Sequence, residues 1–94
     1  MPALVRIPTP LQNITHHQGV VSASGKNIRE VLLDLERQFP GMKDRLYDDK
    51  GSLRRFINIY LNEEDIRFLN GEETTVQDKD EVSIIPAIAG GKTR

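Results

Sequence analysis

The chain has 94 residues, of which 37% are hydrophobic and 29% charged, and its formal net charge is −1. These values predict one globular domain with a modest core, and they give no electrostatic reason to expect nucleic acid or an anionic membrane as a partner. The absence of cysteine excludes disulfides, thiolate metal sites and a cysteine nucleophile. We expect a cytoplasmic protein, because we find no signal peptide and no apolar run near the roughly 20 residues of a membrane span.

Alternating apolar residues predict two short strands near the N-terminus. The first runs from Ala3 to Pro8. A polar, turn-like segment from Leu11 to Gly19 leads to the second, Val20 to Ala23, which we expect to form a hairpin with the first. His16-His17 lies in this segment. Adjacent side chains on a strand point to opposite faces, so we interpret the pair as solvated rather than as a metal site.

An amphipathic pattern predicts the main helix, from Asn27 to Phe39. Asn27 with Glu30 three residues later resembles a capping box, which satisfies backbone donors at a helix start. Apolar residues recur at helical spacing and form one stripe for a core; they are Ile28, Val31, Leu32, Leu35 and Phe39. We place Asp34 off this stripe, and Pro40-Gly41 ends the helix.

A charged connector, Met42 to Arg54, follows the helix. It is predicted to contain one small helical turn near Leu46. Its carboxylates are Asp44, Asp48 and Asp49. They lack the fixed spacing and the terminal glutamate of a calcium loop, so we interpret the segment as a solvated connector without a metal.

The clearest strand runs from Arg55 to Leu61. Its aliphatic residues Ile57, Ile59 and Leu61 alternate with Phe56, Asn58 and Tyr60. We expect the aliphatic set to face the helix and the other set to lie on the outer face of the sheet. Asn62 to Asp65 is predicted to be a turn, and Ile66 to Phe68 a brief strand.

The last strand ends near Pro86, which cannot donate a ladder hydrogen bond. Val82 and Ile84 are expected to face the core, and Ser83 and Ile85 the outer face. Beyond the strand, Ala89, Gly90 and Gly91 offer no bulk to pack, so residues 89–94 are predicted to form a flexible tail, thin enough to enter a narrow cleft in another protein. We find no paired acid and base in the body. The chain is therefore expected to be a substrate of other enzymes rather than an enzyme.

The predicted order is strand, strand, helix, strand, short strand, strand. After the crossover, the first and last strands form the natural central pair and run parallel. This is the β-grasp arrangement, an α+β fold in which one main helix packs on one face of a mixed four- to five-stranded sheet. We assign it to residues 1–88.

The chain resembles the ubiquitin-like sulfur carriers, a family that includes the small subunit of molybdopterin synthase and the thiamine-biosynthesis sulfur carrier. The resemblance to the sulfur carriers of actinobacterial cysteine biosynthesis covers nearly the whole chain. The residues that carry it are Ile7-Pro8-Thr9, Val21 to Gly25, Arg55 to Asn62, Glu64 to Phe68, Asp78 to Val82 and Ile84 to Gly91. Two departures stand out. Lys79 occupies a turn position where the family usually has glycine, and Lys92-Thr93-Arg94 follows Gly91.

The resemblance implies a mechanism in which other proteins act on the tail. A zinc-dependent JAMM-type metalloprotease would cut between Gly91 and Lys92, and an E1-like enzyme would use ATP to adenylate Gly91. The resulting thiocarboxylate would supply sulfur to a biosynthetic enzyme, for cysteine a synthase that uses pyridoxal phosphate. The partners would grip Ala89, Gly90 and Gly91 and would dock on an apolar patch. That patch comprises Phe56, Tyr60, Ile85, Pro86 and Ile88.

Alternatives remain open at this stage. The protein could be a ubiquitin-like modifier joined through Gly91 to lysines of other proteins, or a β-grasp interaction module with an inert tail. Residues 92–94 could be a remnant of protein expression, and the patch could be covered by a loop or by a second copy. The residues themselves do not separate the carrier from the modifier, since both require the adenylate.

Overall fold

Five strands form one mixed sheet, and one long helix packs against one of its faces. The computed structural model describes residues 2–86. The strands are β1 (Ala3–Arg6), β2 (Val20–Ala23), β3 (Ile57–Leu61), β4 (Glu64–Asp65) and β5 (Glu81–Pro86). The helices are α1 (Ile28–Gln38) and α2 (Met42–Leu46), with 3-10 turns at Thr9–Leu11, Ile66–Phe68 and Gly71–Glu73. None of the helices in this part of the chain has the length and apolar character of a membrane span.

The strand order is β2-β1-β5-β3-β4. β1 and β5 pair in parallel at the centre, and the remaining neighbours are antiparallel. Val82 of β5 lies opposite Val5 on one side and Leu61 on the other. Both valines are completely buried, as are Val31 and Leu35 of α1. The predicted β-grasp topology and the predicted inward faces of the strands are confirmed.

Two predicted strands are shorter than the pattern indicated. β1 ends at Arg6 rather than Pro8, and the Ile7 N–H donates instead to the Gly19 carbonyl at 2.8 Å. β3 begins at Ile57 rather than Arg55, because the Ile57 N–H closes a turn onto the Arg54 carbonyl at 3.0 Å. Strand ends are set by where hydrogen bonds stop, which alternation does not show. The loop and exposure predicted for His16-His17 are confirmed.

The start of α1 follows the predicted capping pattern with one difference. Asn27 Oδ1 accepts from the Glu30 N–H at 2.9 Å, as an N-cap should. The Glu30 carboxylate reaches back to the Lys26 N–H at 2.8 Å rather than to the cap residue itself. Gly25 then passes so close to the helix that a Cβ there would lie 2.5 Å from the Val31 nitrogen. Only glycine permits this entry into the helix.

The exposed position predicted for Asp34 is wrong, because its side chain is buried, with 9% exposed. Its carboxylate accepts from the Ser24 N–H and from Gln38 Nε2, both at 2.9 Å, and it pairs with the Arg37 guanidinium. The Ser24 bond, supported by Arg37 and Gln38, lowers the pKa of Asp34 against the opposing effect of burial. Asp34 therefore ties α1 to the end of β2.

The turn predicted from Asn62 to Asp65 is confirmed at Asn62 and Glu63, but the rest of the prediction for residues 62–68 is wrong. The predicted turn contains β4, and the predicted strand from Ile66 to Phe68 is a 3-10 turn. Asn62 and Glu63 both have positive φ, 50° and 77°, which gives a two-residue hairpin of the type that matches strand twist. Asp65 then accepts from the Arg67 N–H at 2.9 Å. This bond starts a helical turn and so ends the strand.

Lys79 adopts φ of 69°, so the turn before β5 does require the left-handed region that the family's glycine suggested. A left-handed non-glycine residue costs about 1–2 kcal/mol, whereas glycine loses about 0.5–1 kcal/mol in chain entropy. We therefore expect Lys79→Gly to raise the free energy of unfolding by about 0.5–1 kcal/mol in urea denaturation. Lys50→Gly is the matched control, because Lys50 is exposed without positive φ and should only lose stability. A loss of stability in Lys79→Gly would contradict the prediction.

Asp34→Asn tests the buried carboxylate. Since the folded-state pKa of Asp34 is below its unfolded value, its charge stabilises the fold above about pH 4. That contribution is lost as the pH falls through the folded-state pKa. We expect the variant to be less stable than the wild type by about 1–2 kcal/mol at neutral pH. It should also lose less stability than the wild type on acidification to about pH 3.

Urea denaturation at both pH values measures these differences. Asp49→Asn is the control, because it removes an exposed carboxylate and should stay within about 0.5 kcal/mol of the wild type at neutral pH. An equal loss of stability on acidification in Asp34→Asn and the wild type would refute the role given to Asp34.

Candidate functional site

The tail leaves the fold from the end of β5. Pro86 is the last described residue and lies opposite Ile57 of β3. Several predicted site residues lie outside the described residues: Ile88, Ala89, Gly90, Gly91 and Lys92. The predicted tail, residues 89–94, lies there as well. The part of the site that the structure describes is therefore the sheet surface from which the tail departs.

Strand register places Tyr60 and Ile85 on the sheet face away from α1, whereas Pro86, opposite Ile57, follows Val82 and Ile84 on the α1 side of β5. Ile85 lies opposite Asn58, and Tyr60 lies opposite Ser83. Ile85 is 43% exposed, while Tyr60 and Pro86 are half-buried. Phe56, which is 53% exposed, precedes β3 by one residue and lies outside the strand pairing. The predicted outward facing of Tyr60 and Ile85 is confirmed, and Phe56 is exposed as expected.

Two exposed apolar residues on the same face were missed by the sequence analysis. Leu4 is 42% exposed, and Val20 is 45% exposed. Val20 lies opposite Arg6, and Arg6 lies opposite Ser83, so β1 and β2 extend the face that carries Ile85. The alternation of β1 indicated that Leu4 points outward, and the parallel pairing of β1 with β5 adds it to the patch. We call Leu4, Val20, Tyr60 and Ile85, with Phe56 at one end, the open face.

One ion pair lies within this apolar surface and another lies at its β4 side. Arg6 Nε donates to Glu81 Oε2 at 2.7 Å in the middle of the face. At the β4 side, Arg67 forms a two-pronged contact with Asp65, whose side chain is only 6% exposed. Hydrogen bonds and charge from Arg67 lower the pKa of Asp65. Exposed apolar side chains interspersed with paired charges are typical of a protein-binding surface.

A shallow recess lies where the tail departs. It has a volume of about 280 Å³ and opens between the end of β1 and the end of β5. Its lining is mainly apolar and includes Ile7, Pro8, Ile85 and Pro86. A partner that holds the tail could place an apolar side chain there.

The open face has the character of a surface that binds another protein. Residues 2–86 contain no group of three or more histidine, aspartate or glutamate side chains placed to hold a metal ion. The charged groups of the open face, Arg6 and Glu81, are paired with each other. The arrangement suits the docking of another protein.

The fold and this site define a β-grasp protein of the ubiquitin-like class, with a final central strand that leads into a Gly-Gly tail. The model of the ThiS family matches residues 5–91, and the chain belongs to that family. The matched range includes both glycines of the tail.

Individual proteins agree with this assignment. The sulfur carrier protein CysO of Mycobacterium tuberculosis is 47% identical over 93 residues, which cover 97% of this chain and 100% of the relative. Among solved structures, the Amycolatopsis orientalis BexX/CysO complex matches with a TM-score of 0.88 and 43% identity, over 95% of this chain and 99% of the matched chain. Small archaeal modifier protein 1 from Methanosarcina acetivorans matches with a TM-score of 0.82 and 32% identity, over 95% of both chains. These similarities confirm the predicted family and fold.

Proposed function

We propose that the protein is a sulfur carrier for cysteine biosynthesis and a co-substrate of other enzymes rather than a catalyst. The observation that carries this proposal is the 47% identity with CysO over nearly the whole chain. The family match through residue 91 supports Gly91 as the attachment site for sulfur. We place the process in the cytoplasm.

The carboxylate of Gly91 must be activated before sulfur can be attached. A carboxylate is a poor electrophile, because its charge is delocalised and its oxygen is a poor leaving group. In the proposed first step, a carboxylate oxygen attacks the α-phosphate of ATP and pyrophosphate leaves. A hydrosulfide-type donor then attacks the carbonyl carbon of the acyl-adenylate. AMP leaves with the carbon–oxygen bond electrons, a proton is released, and a thiocarboxylate remains. Gly90 and Gly91 have no Cβ, so an enzyme can contact their backbone closely.

Cleavage must precede activation in this chain, because the Gly91 carbonyl is joined to Lys92 in a peptide bond. We propose that a JAMM-type metalloprotease makes this cut. Its zinc would polarise the Gly91 carbonyl and supply the attacking hydroxide. The tail residues Ala89, Gly90 and Gly91 would lie extended in the protease cleft. The chain would then exist first as an inactive precursor.

The other proposed partners are an E1-like adenylating enzyme and a sulfur-accepting synthase that uses pyridoxal phosphate. The open face, with the predicted patch residues Phe56, Tyr60, Ile85, Pro86 and Ile88, would dock the adenylating enzyme. A relative of similar size, CysO, has been crystallised in a complex with BexX, and this supports a protein partner for the present chain. Neither nucleic acid nor a membrane is required.

A second candidate function is conjugation to other proteins through Gly91. The similarity to an archaeal modifier protein favours it. The two functions share the adenylate and differ in the final acceptor, which is sulfur for the carrier and a lysine amine for the modifier. Isopeptide-linked Gly91 on target proteins, found by mass spectrometry of the host cells, would identify the modifier.

Intact mass tests the carrier function directly. With ATP, a sulfide donor and the host's adenylating enzyme, a chain that ends at Gly91 should gain the mass difference between sulfur and oxygen. The full chain should do so only after the protease is added. A chain that ends at Gly90 is the matched control and should react poorly, because its carboxylate is one residue short of the adenylation site. Absence of both pyrophosphate release and mass gain in the chain ending at Gly91 would refute the proposal.

Ile85→Glu tests docking on the open face. Truncation or charge at the centre of an interface typically costs about 2 kcal/mol or more, so we expect KM for the adenylating enzyme to rise at least about tenfold. The kcat should change little, because Ile85 lies outside the reacting tail. Leu33→Glu, on the exposed side of α1 at 48% exposure, is the matched control and should leave KM unchanged. Equal effects of the two variants would exclude this face as the docking site.

A further inference from the structure

A larger cleft lies on the other side of β3, away from β5. Its volume is about 480 Å³, and it is bounded by β3, by the 3-10 turn at Ile66–Phe68 and by the turn at Gly71–Glu73. Its lining includes Leu53, Ile57 and Ile66. The cleft belongs neither to the open face nor to the tail.

The edge of β3 that borders this cleft has no strand paired with it from Ile57 to Ile59. β4 pairs only with Tyr60 and Leu61, because the hairpin ends when Asp65 starts the helical turn. Over the described residues, Ile57, Asn58 and Ile59 therefore have β5 as their only strand neighbour. An uncovered strand edge next to apolar side chains accommodates an extended peptide.

Arginines give the cleft its charge. Arg54, Arg55 and Arg67 all line it. Arg67 is neutralised by Asp65, whereas the Arg54 guanidinium donates to a neutral group, the Asp44 carbonyl, at 3.0 and 3.2 Å. Within residues 2–86, neither Arg54 nor Arg55 forms an ion pair with a carboxylate. Two positive charges therefore remain uncompensated there.

The remaining carboxylate of the cleft does not offset them. Glu72 accepts from the Tyr47 hydroxyl at 2.7 Å and lies 3.8 Å from the Arg29 guanidinium, on the α1 side. Aromatic side chains adjoin the lining arginines in sequence: Phe56 is 53% exposed and Phe68 is 84% exposed. These phenylalanines are outside the lining itself, so the cleft combines an apolar floor with two guanidinium groups that have no carboxylate partner.

We propose that this cleft binds an extended acidic segment of the enzyme that receives the tail. Arg54 and Arg55 would pair with its carboxylates, and its apolar side chains would contact Ile57 and Ile66. Ile57 lies directly opposite Pro86, so the cleft begins one strand away from the origin of the tail. The chain's own Lys92 and Arg94 carry the wrong charge for this site. The inference rests on the proposed function only for the identity of the protein that supplies the segment.

The test is an NMR titration of the ¹⁵N-labelled full chain, without ATP or any enzyme, so its result is independent of the carrier chemistry. The probe is a capped six-residue peptide that alternates valine and glutamate. We expect saturable shifts at the cleft amides, with a Kd in the high micromolar to millimolar range, and weaker binding at high salt. The amides that report on the cleft are those of Arg55, Ile57, Asn58, Ile59 and Gly71.

Charge variants test whether the arginines of the cleft pair with the carboxylates of the peptide. Arg55→Glu should weaken binding of the acidic peptide at least about tenfold and should allow binding of a valine–lysine peptide. Arg45→Glu makes the same charge change at an exposed residue outside the cleft and should leave both results as in the wild type. Thermal unfolding of each variant checks that the fold is retained.

Several results would overturn the proposal. The first is the absence of saturable shifts, and the second is equal binding of the acidic and basic peptides. Shifts confined to the open face around Leu4 and Ile85 would also count against it. Cleft shifts that depend on protein concentration alone would assign the cleft to a second copy. Nuclear Overhauser contacts from residues 87–94 to the cleft would assign it to the chain's own tail.

Discussion

The parallel pairing of β1 with β5 is the constraint on which the other features depend. Val5 and Val82 lie opposite each other at its centre and are fully buried beneath α1. Burying each such side chain stabilises the fold by about 1.5–3 kcal/mol. The pairing is non-local, since it joins the two ends of the chain, so it forms only when the crossover through α1 is complete. Gly25 permits the close entry into that helix, and Asp34 ties the later part of the helix to the end of β2.

This central pair also determines where the functional surfaces lie. Because α1 covers one face, the outward residues of β1, β2, β3 and β5 merge into a single open face. Because β5 is central, the chain beyond Pro86 begins in the middle of the sheet's end rather than at an outer edge. A protein that binds the open face is therefore close to Pro86, from which the sequence continues to Gly91.

Local hydrogen bonds and turn geometry explain why the sequence patterns gave wrong predictions at some positions. The side chain of Asp34 looked solvent-facing by helical periodicity, yet three donors keep its charge satisfied in a buried position. Asn62 and Glu63 adopt positive φ and reverse the chain at once, which leaves β4 with two residues. The cleft beside Ile57 exists because β4 stops so early. Hydrophobic patterns carry no information about such bonds.

The sequence by itself determined the order of the elements, the inward faces of the strands and the helix from its cap to Gln38, because apolar periodicity and capping are local. It also indicated the family, through motifs that extend to Gly91. Only the tertiary structure decided that Leu4 and Val20 belong with Ile85, and that two arginines face an uncovered strand edge. The first grouping joins residues far apart in the chain and follows from strand register, and the second follows from the early end of β4; local apolar patterns encode neither.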